Sequence, residues 1–203
     1  MPRQFAHIAF TPAVKALQER YGSREGYTRF ETSGPANNTI TPAIAAFIAA
    51  RDSFYMGTVN SDGWPYIQFR GGPQGFLKIL DEQTLGFADF QGNLQYISTG
   101  NLAENDRVFL FLMNYAQRQR LKIFGRATVV DDEPELLQQL SDPNYSAKVE
   151  RAIVIHVEAW DWNCPQHIPI RYSEADVQAM LQPLHERITQ LESQLVQSSS
   201  GDV

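Results

Sequence analysis

The chain has little of what most often carries catalysis or crosslinking. Its one cysteine, Cys164, excludes an internal disulfide, and a reducing compartment, the cytoplasm, is the expectation. A lone thiol acts as a nucleophile only beside a base in an activating environment, and no pattern here identifies one. The four histidines, His7, His156, His167 and His185, are scattered without ligand spacing, which argues against a metal site. There is no G-x-S-x-G, no phosphate-binding P-loop and no G-x-G-x-x-G. No apolar run approaches the roughly 20 residues of a membrane span, and the opening MPRQFAHIAFTP lacks the apolar stretch of a signal peptide. Positive charge is also short. With 17 Lys and Arg against 23 Asp and Glu, the net charge of −6 gives no general attraction to nucleic acid or to an anionic membrane. An anionic ligand would have to be held by a local cluster of cations.

What is present is core material. Apolar residues make up 43% of the 203, including 12 Phe, 8 Tyr and 3 Trp, enough for a sizeable folded core and too many for a disordered chain.

The chain changes texture twice. In the first 50 residues, Thr11-Pro12 and Thr41-Pro42 each set a capping hydroxyl before a proline at the first helical position. Val14, Leu17 and Tyr21 recur at helical spacing until Gly22, and Ile44, Phe47 and Ile48 do so after Thr41. The polar stretch SREGYTRFETSGPANN between them reads as loop. From Phe54 to Trp160 the sequence reads as strands. FYMGTVN and PYIQFR flank Ser61-Asp62-Gly63-Trp64, a hairpin turn; FLKIL, TLGFADF, RVFLFLMNY, RLKIFGRATVV and RAIVIHVEAW follow. Short helical pieces are expected near residues 93–104 and 133–140. Many short apolar strands with few intervening helices predict an antiparallel barrel rather than alternating strand–helix units. In the tail, Ser173 and Asp176 have the spacing of a capping box. Val177, Leu181, Leu184, Ile188, Leu191 and Leu195 then form a heptad seam, which suits either a helix lying on its own domain or an intermolecular coiled coil. Pro183 predicts a kink or a late start, and the final SSSGDV is expected to be disordered.

Candidate chemistry is concentrated between Gln68 and Arg126. Tyr66, Gln68 and Arg70 share one face of PYIQFR by the two-residue period; Lys78 lies in FLKIL; Arg120, Lys122 and Arg126 share one face of RLKIFGRATVV. These cations could make one anion site or an ordinary solvated strand face. In ADFQGNLQYIS a strand, a turn and a helix start follow one another, and backbone N–H groups at a helix start favour a phosphate. RVFLFLMNY is apolar on both faces, as expected of a strand covered by core on one side and by a partner on the other.

The stretch from FYMGTVNSDGWPYIQFRGG through FADFQGNLQYIS to RQRLKIFGRA, followed by CPQHIPIRY, resembles the pyridoxamine 5′-phosphate oxidase-like FMN-binding split barrels. It is most similar to the branch of oxidase-related flavin-binding proteins, over residues 41–172. The resemblance implies a mainly β fold: a six-stranded antiparallel split β-barrel with N-terminal helices and a C-terminal amphipathic helix. It divides the chain into an N-terminal extension (1–40), the barrel domain (41–172) and a C-terminal helix and tail (173–203). It implies FMN as cofactor, with Arg70 and Lys78 at the phosphate and Ala88, Asp89, Asn93, Gln95 and Tyr96 along the ribityl chain and phosphate. It further implies a homodimer whose second subunit contributes Arg120, and an approach of Gln166 and His167 to the flavin ring. The activity implied is a flavin-dependent oxidoreductase of unassigned substrate, with no side-chain acid or base required and a nicotinamide cofactor or small molecule as its redox partner. A flavin storage or sensor protein, or a dimer holding haem or a deazaflavin, are the alternatives. Two departures stand out. Leu94 occupies the place where the family motif carries Arg, and the oxidase's C-terminal substrate motif is not recognisable.

Overall fold

The computed structural model describes residues 3–162 and 165–199; Cys164 and the end of the SSSGDV tail fall outside it. Proline and threonine start the helices as the capping pattern predicts. Thr11 Oγ1 accepts from the Val14 N–H at the head of α2 (Pro12–Arg20), and Thr41 Oγ1 accepts from the Ile44 N–H at the head of α4 (Pro42–Ala49). Two helices were not expected. α1 (Gln4–Ala9) precedes α2, and α3 (Arg24–Thr32) occupies the stretch read as loop. The helix α3 carries few apolar residues, so periodicity missed it. It is tied to α2 by polar groups: Lys15 reaches the Glu31 carboxylate at 3.4 Å, and Arg24, paired with Glu31 within α3 at 2.7 Å, donates to Gln18 Oε1 at 2.6 Å.

The strands are β1 (Ser53–Val59), β2 (Pro65–Gly71), β3 (Lys78–Ile79), β4 (Thr84–Phe90), β5 (Arg107–Asn114), β6 (Gln119–Val130) and β7 (Val149–Trp162), with α5 (Ile97–Glu104) after β4 and α6 (Pro134–Leu140) before β7. They form one antiparallel sheet in the order β2-β1-β5-β6-β7-β4-β3. The strand count is therefore seven where six were expected. FLKIL contributes only the two-residue β3, because Phe76 and Leu77 turn into the core instead. β1 and β2 are joined through the predicted turn, in which the Asn60 carboxamide oxygen accepts from the Trp64 N–H and Gly63 takes a φ of 86°.

The sheet curls on itself. β2 and β4 lie near opposite ends of the strand order, yet Arg70 of β2 is ion-paired to Asp89 of β4. Phe54 of β1 also packs edge-on against Phe87 of β4 with ring centroids 5.3 Å apart. Inside lie Phe54, Met56, Leu85, Phe87, Leu110, Leu112, Leu121, Ile123, Ile153 and Ile155, the alternate residues of five strands. A smaller core of Ala88, Leu140 and Ala152 forms where α6 covers the outer side of β4 and β7. This is a split β-barrel. Its seam runs between β2 and β4, whose backbones are not hydrogen-bonded to each other.

The chain divides into two compact units. The first comprises residues up to Asn114 together with Gln119–Pro165; the second comprises Tyr115–Arg118 with the residues from Gln166 onward. Within the second, α7 (Glu174–Ser199) begins at a formed capping box. Ser173 Oγ accepts from the Asp176 N–H at 3.1 Å, and the Asp176 carboxylate accepts from the Ser173 N–H at 2.9 Å. The helix starts early and runs on through Pro183, so a late start is not what the proline imposes.

Candidate functional site

The polar seam of the barrel follows from the two-residue period. On β4, Leu85, Phe87 and Asp89 point inward, so an apolar row ends in a carboxylate. On β7 the directly opposed residue is Arg151, which precedes the inward Ile153 and Ile155. On β2 the half-buried row is Tyr66, Gln68 and Arg70, while Ile67 and Phe69 face outward. Three strands thus place polar ends around one pocket. Its wall is completed by the loop after β4 and the first turn of α5.

Asp89 is the hub. Arg70 hydrogen-bonds its carboxylate, and Arg151 Nε lies 3.8 Å from its other oxygen. Arg151 also pairs with Glu150 at 3.0 Å and lies over the Tyr96 ring, 5.0 Å from its centroid. Burial is the largest influence on both members of the central pair. It pushes the Asp89 carboxyl above the ordinary carboxylate range, against the pull of Arg70 and Arg151. It likewise holds the Arg70 guanidinium below its usual value. Arg70 Nε is buried without a hydrogen-bond partner, so the guanidinium keeps one donor unused.

The loop supplies neutral hydrogen-bonding groups. The Asn93 side chain accepts from the Gln95 N–H at 3.2 Å, and Leu94 and Tyr96 have φ of 63° and 52°, in the left-handed region. Two such residues so close together mark a backbone held in an unfavourable shape, as ligand-binding loops often are. The helix expected from residue 93 begins at Ile97, since these conformations exclude helical geometry before it. The first turn of α5 faces the pocket through Ile97, Ser98 and Thr99, and Ser98 Oγ donates to Gln68 Oε1 at 2.7 Å. A buried bond from the Asn101 carboxamide to Thr58 Oγ1, 2.9 Å, fixes α5 to β1.

Of the residues singled out from sequence, the pocket gathers Arg70, Asp89, Asn93, Gln95 and Tyr96. Lys78 lies on β3 opposite Gly86, outside the pocket wall, and Ala88 points to the other side of β4 into the smaller core. Arg120 lies on β6 opposite Met113, over the ring of Phe111. Gln166 and His167 belong to the second unit, both exposed, His167 with a φ of 61°. The neighbouring strand cations do not assemble an anion site. Lys122 is bound to Asp161 at 2.7 Å, and Arg126 to Asp106 and Glu158 at 2.9 Å each. Sequence reading missed Glu150 and Arg151. It also left Tyr66 and Gln68 out of the site, although their period with Arg70 places them there. Among the described residues no group of three or more His, Cys, Asp or Glu is placed to hold a metal, and no helix is long and apolar enough to cross a membrane.

The donor set fits a hydrogen-bonding ligand of modest negative charge, held against the carboxylates of Asp89 and Glu150 that also line the pocket. One guanidinium with an unused buried N–H, the carboxamides of Gln68, Asn93 and Gln95, and the N–H groups opening α5 are the kind of groups that take phosphate oxygens.

The sequence matches the family described as Pyridoxamine 5'-phosphate oxidase over residues 40–164, well over half of the chain. None of the curated proteins matches. Among solved structures, a variant of HupZ from Group A Streptococcus is similar with a TM-score of 0.51 at 13% identity, over 61% of this chain and 99% of that one. An FMN-binding protein from Syntrophomonas wolfei subsp. wolfei gives 0.48 at 11% identity, over 75% and 97%. At such identities the first likeness speaks to the fold alone.

Proposed function

The chain belongs to the pyridoxamine 5'-phosphate oxidase family, and from that premise we propose that it binds FMN at the β2–β4 seam and serves as a flavin-dependent oxidoreductase in a cytoplasmic homodimer. The observation that carries the reading is the convergence of Arg70, Gln68, Asn93 and Gln95 with the α5 N-terminus on one pocket, inside the segment that matches the family. Arg70 with its spare N–H, the two loop side chains and the first turn of α5 hold the phosphate end. Arg151, behind Asp89 and over Tyr96, adds positive charge from β7. Lys78, the partner's Arg120, and Gln166 and His167 beside the flavin ring are assigned by family resemblance only. The flavin, when bound, supplies the redox chemistry; the chain's own part is to position it and to limit access of water.

Self-association is supported by the outer face of the barrel. Tyr55, Ile67 and Phe69 are exposed there, with Tyr55 and Phe69 in edge contact at 5.7 Å. Next to them an apolar groove is lined by Ile8, Val59, Ile67, Phe109 and Phe124. A contiguous apolar surface of this kind marks a protein contact.

Leu94, an apolar side chain 52% exposed at the pocket rim, favours a second reading in which the protein holds a flavin without turning it over. Purification followed by spectroscopy separates the possibilities. The expected result is a yellow protein that releases FMN on denaturation and is bleached by NADH or NADPH, with the colour returning on addition of an acceptor. Colour that neither nucleotide bleaches selects the second reading. A protein that is colourless and fails to take up added FMN overturns both.

A further inference from the structure

The C-terminal helix is twenty-six residues long and carries its apolar side chains on one stripe. Val177, Leu181, Leu184, Ile188, Leu191 and Leu195 follow one another in steps of four and three, and each is between 40% and 65% exposed. We propose that α7 pairs with α7 of a second copy of this chain as a parallel, in-register, two-stranded coiled coil. The inference is independent of whether the barrel holds a flavin.

The step pattern fixes the heptad. Val177, Leu184 and Leu191 take position d, and Leu181, Ile188 and Leu195 take position a. In the central layers Leu184 and Leu191 at d flank the β-branched Ile188 at a, the local combination that favours two parallel strands, while Val177 at d and Leu181 and Leu195 at a do not add to that preference. Pro183 then falls at position c, on the outer side, where a missing backbone donor does not touch the seam. The outer side is otherwise polar, with Gln182 hydrogen-bonded to Glu186 at 3.1 Å. It is not rich in lysine or arginine, which makes an anionic lipid surface a poor occupant.

Charge chooses the direction. Arg187 is at position g and Glu192 at position e, five residues later, so in a parallel pair each Arg187 meets the partner's Glu192. The six seam layers could also close in an antiparallel register, with residue 177 opposite 195 and 184 opposite 188. That register sets Arg187 against its own copy and removes both ion pairs. The parallel register gains two attractions where the antiparallel one has a repulsion.

Disulfide trapping of the full chain tests this in a Cys164→Ser background. Val177→Cys and Leu191→Cys, made separately, are each expected to form a crosslinked dimer with themselves under mild oxidation. Arg187→Glu is expected to slow the crosslinking about fivefold, and adding Glu192→Arg to restore it. The restored rate in the doubly charged-reversed chain shows that the single change did not act by misfolding. The proposal is overturned if neither cysteine variant crosslinks to itself. It is equally overturned if Val177→Cys crosslinks only when mixed with Leu195→Cys, the antiparallel signature, or if charge reversal leaves the rate unchanged.

Discussion

Asp89 sits between Arg70, with which it lines the pocket proposed for an anion, and Arg151 behind it, and its carboxylate therefore competes with a ligand phosphate for these guanidiniums. The charges facing it are Arg70 from β2, Arg151 and Glu150 from β7, with the Tyr96 hydroxyl bonded to Glu150 at 3.4 Å. Burial holds the Asp89 carboxyl above the ordinary range, so it takes up a proton earlier on acidification than a free aspartate does. Once it is neutral, the two guanidiniums lose a counter-charge and an anion binds more tightly. Sulfate keeps its charge across this interval and is the suitable probe. Its affinity is expected to rise as pH falls through the raised Asp89 value. Asp89→Asn is expected to bind sulfate about tenfold more tightly near neutral pH, equivalent to about 1.4 kcal/mol, and to lose most of the pH dependence. Calorimetric titration across pH reads both effects; equal affinities in the two proteins would remove Asp89 from this role. At this scale the sequence was half informative. Tyr66, Gln68 and Arg70 announce a shared face by their spacing. Arg151 could not be found that way, because it meets Asp89 only through the register of two strands some sixty residues apart.

The elements were more legible than the residues, since alternation and capping are local. Thr11, Thr41 and the Ser173–Asp176 box all form the caps their spacing predicts. What was missed is what local pattern does not encode. The helix α3 makes its apolar contacts through Tyr27 and Phe30, packed against Phe10, and is otherwise tied to α2 by Lys15–Glu31 and Arg24–Gln18, and β3 shrinks because the core claims Phe76 and Leu77. One glycine carries unusual weight. Between Phe124 and Gly125 the β6–β7 register slips, and a Cβ at position 125 would lie 2.7 Å from both the His156 carbonyl oxygen and Ile155 Cγ2. The carbonyl belongs to the neighbouring strand and cannot rotate away as a flexible side chain could. Gly125→Ala is therefore expected to destabilise the barrel by about 2 kcal/mol, visible as a lowered denaturant midpoint with an unchanged slope. Glycine 92, with nothing within 4 Å of an added Cβ, is the control, and Gly92→Ala should leave the midpoint within about 0.5 kcal/mol of the parent.

For the whole molecule, two exposed apolar surfaces, the Tyr55, Ile67 and Phe69 face of the barrel and the stripe of α7, are each proposed to meet a second copy of this chain. Such a chain closes when one partner satisfies both contacts, and runs on into open polymers when each contact takes a different partner. A net charge of −6 disfavours accumulating many copies, and closure also leaves no apolar surface exposed at the ends. The expected solution species is therefore a dimer, with twice the 23.0 kDa chain mass and nothing larger. Placing arginine at Ile67 buries a charge in the barrel contact, yet the α7 contact still holds the two copies together, so Ile67→Arg alone should dissociate only on dilution. Leu184→Arg alone, with the barrel contact intact, should behave in the same graded way. The two together should sediment at 23.0 kDa at micromolar concentration while keeping the circular dichroism of the parent. A parent chain that already sediments at 23.0 kDa would remove both contacts at once. If Ile67→Arg alone gives the monomer mass at every concentration, the barrel is the whole interface. The helix pairing would then have to be abandoned, whatever its heptads suggest.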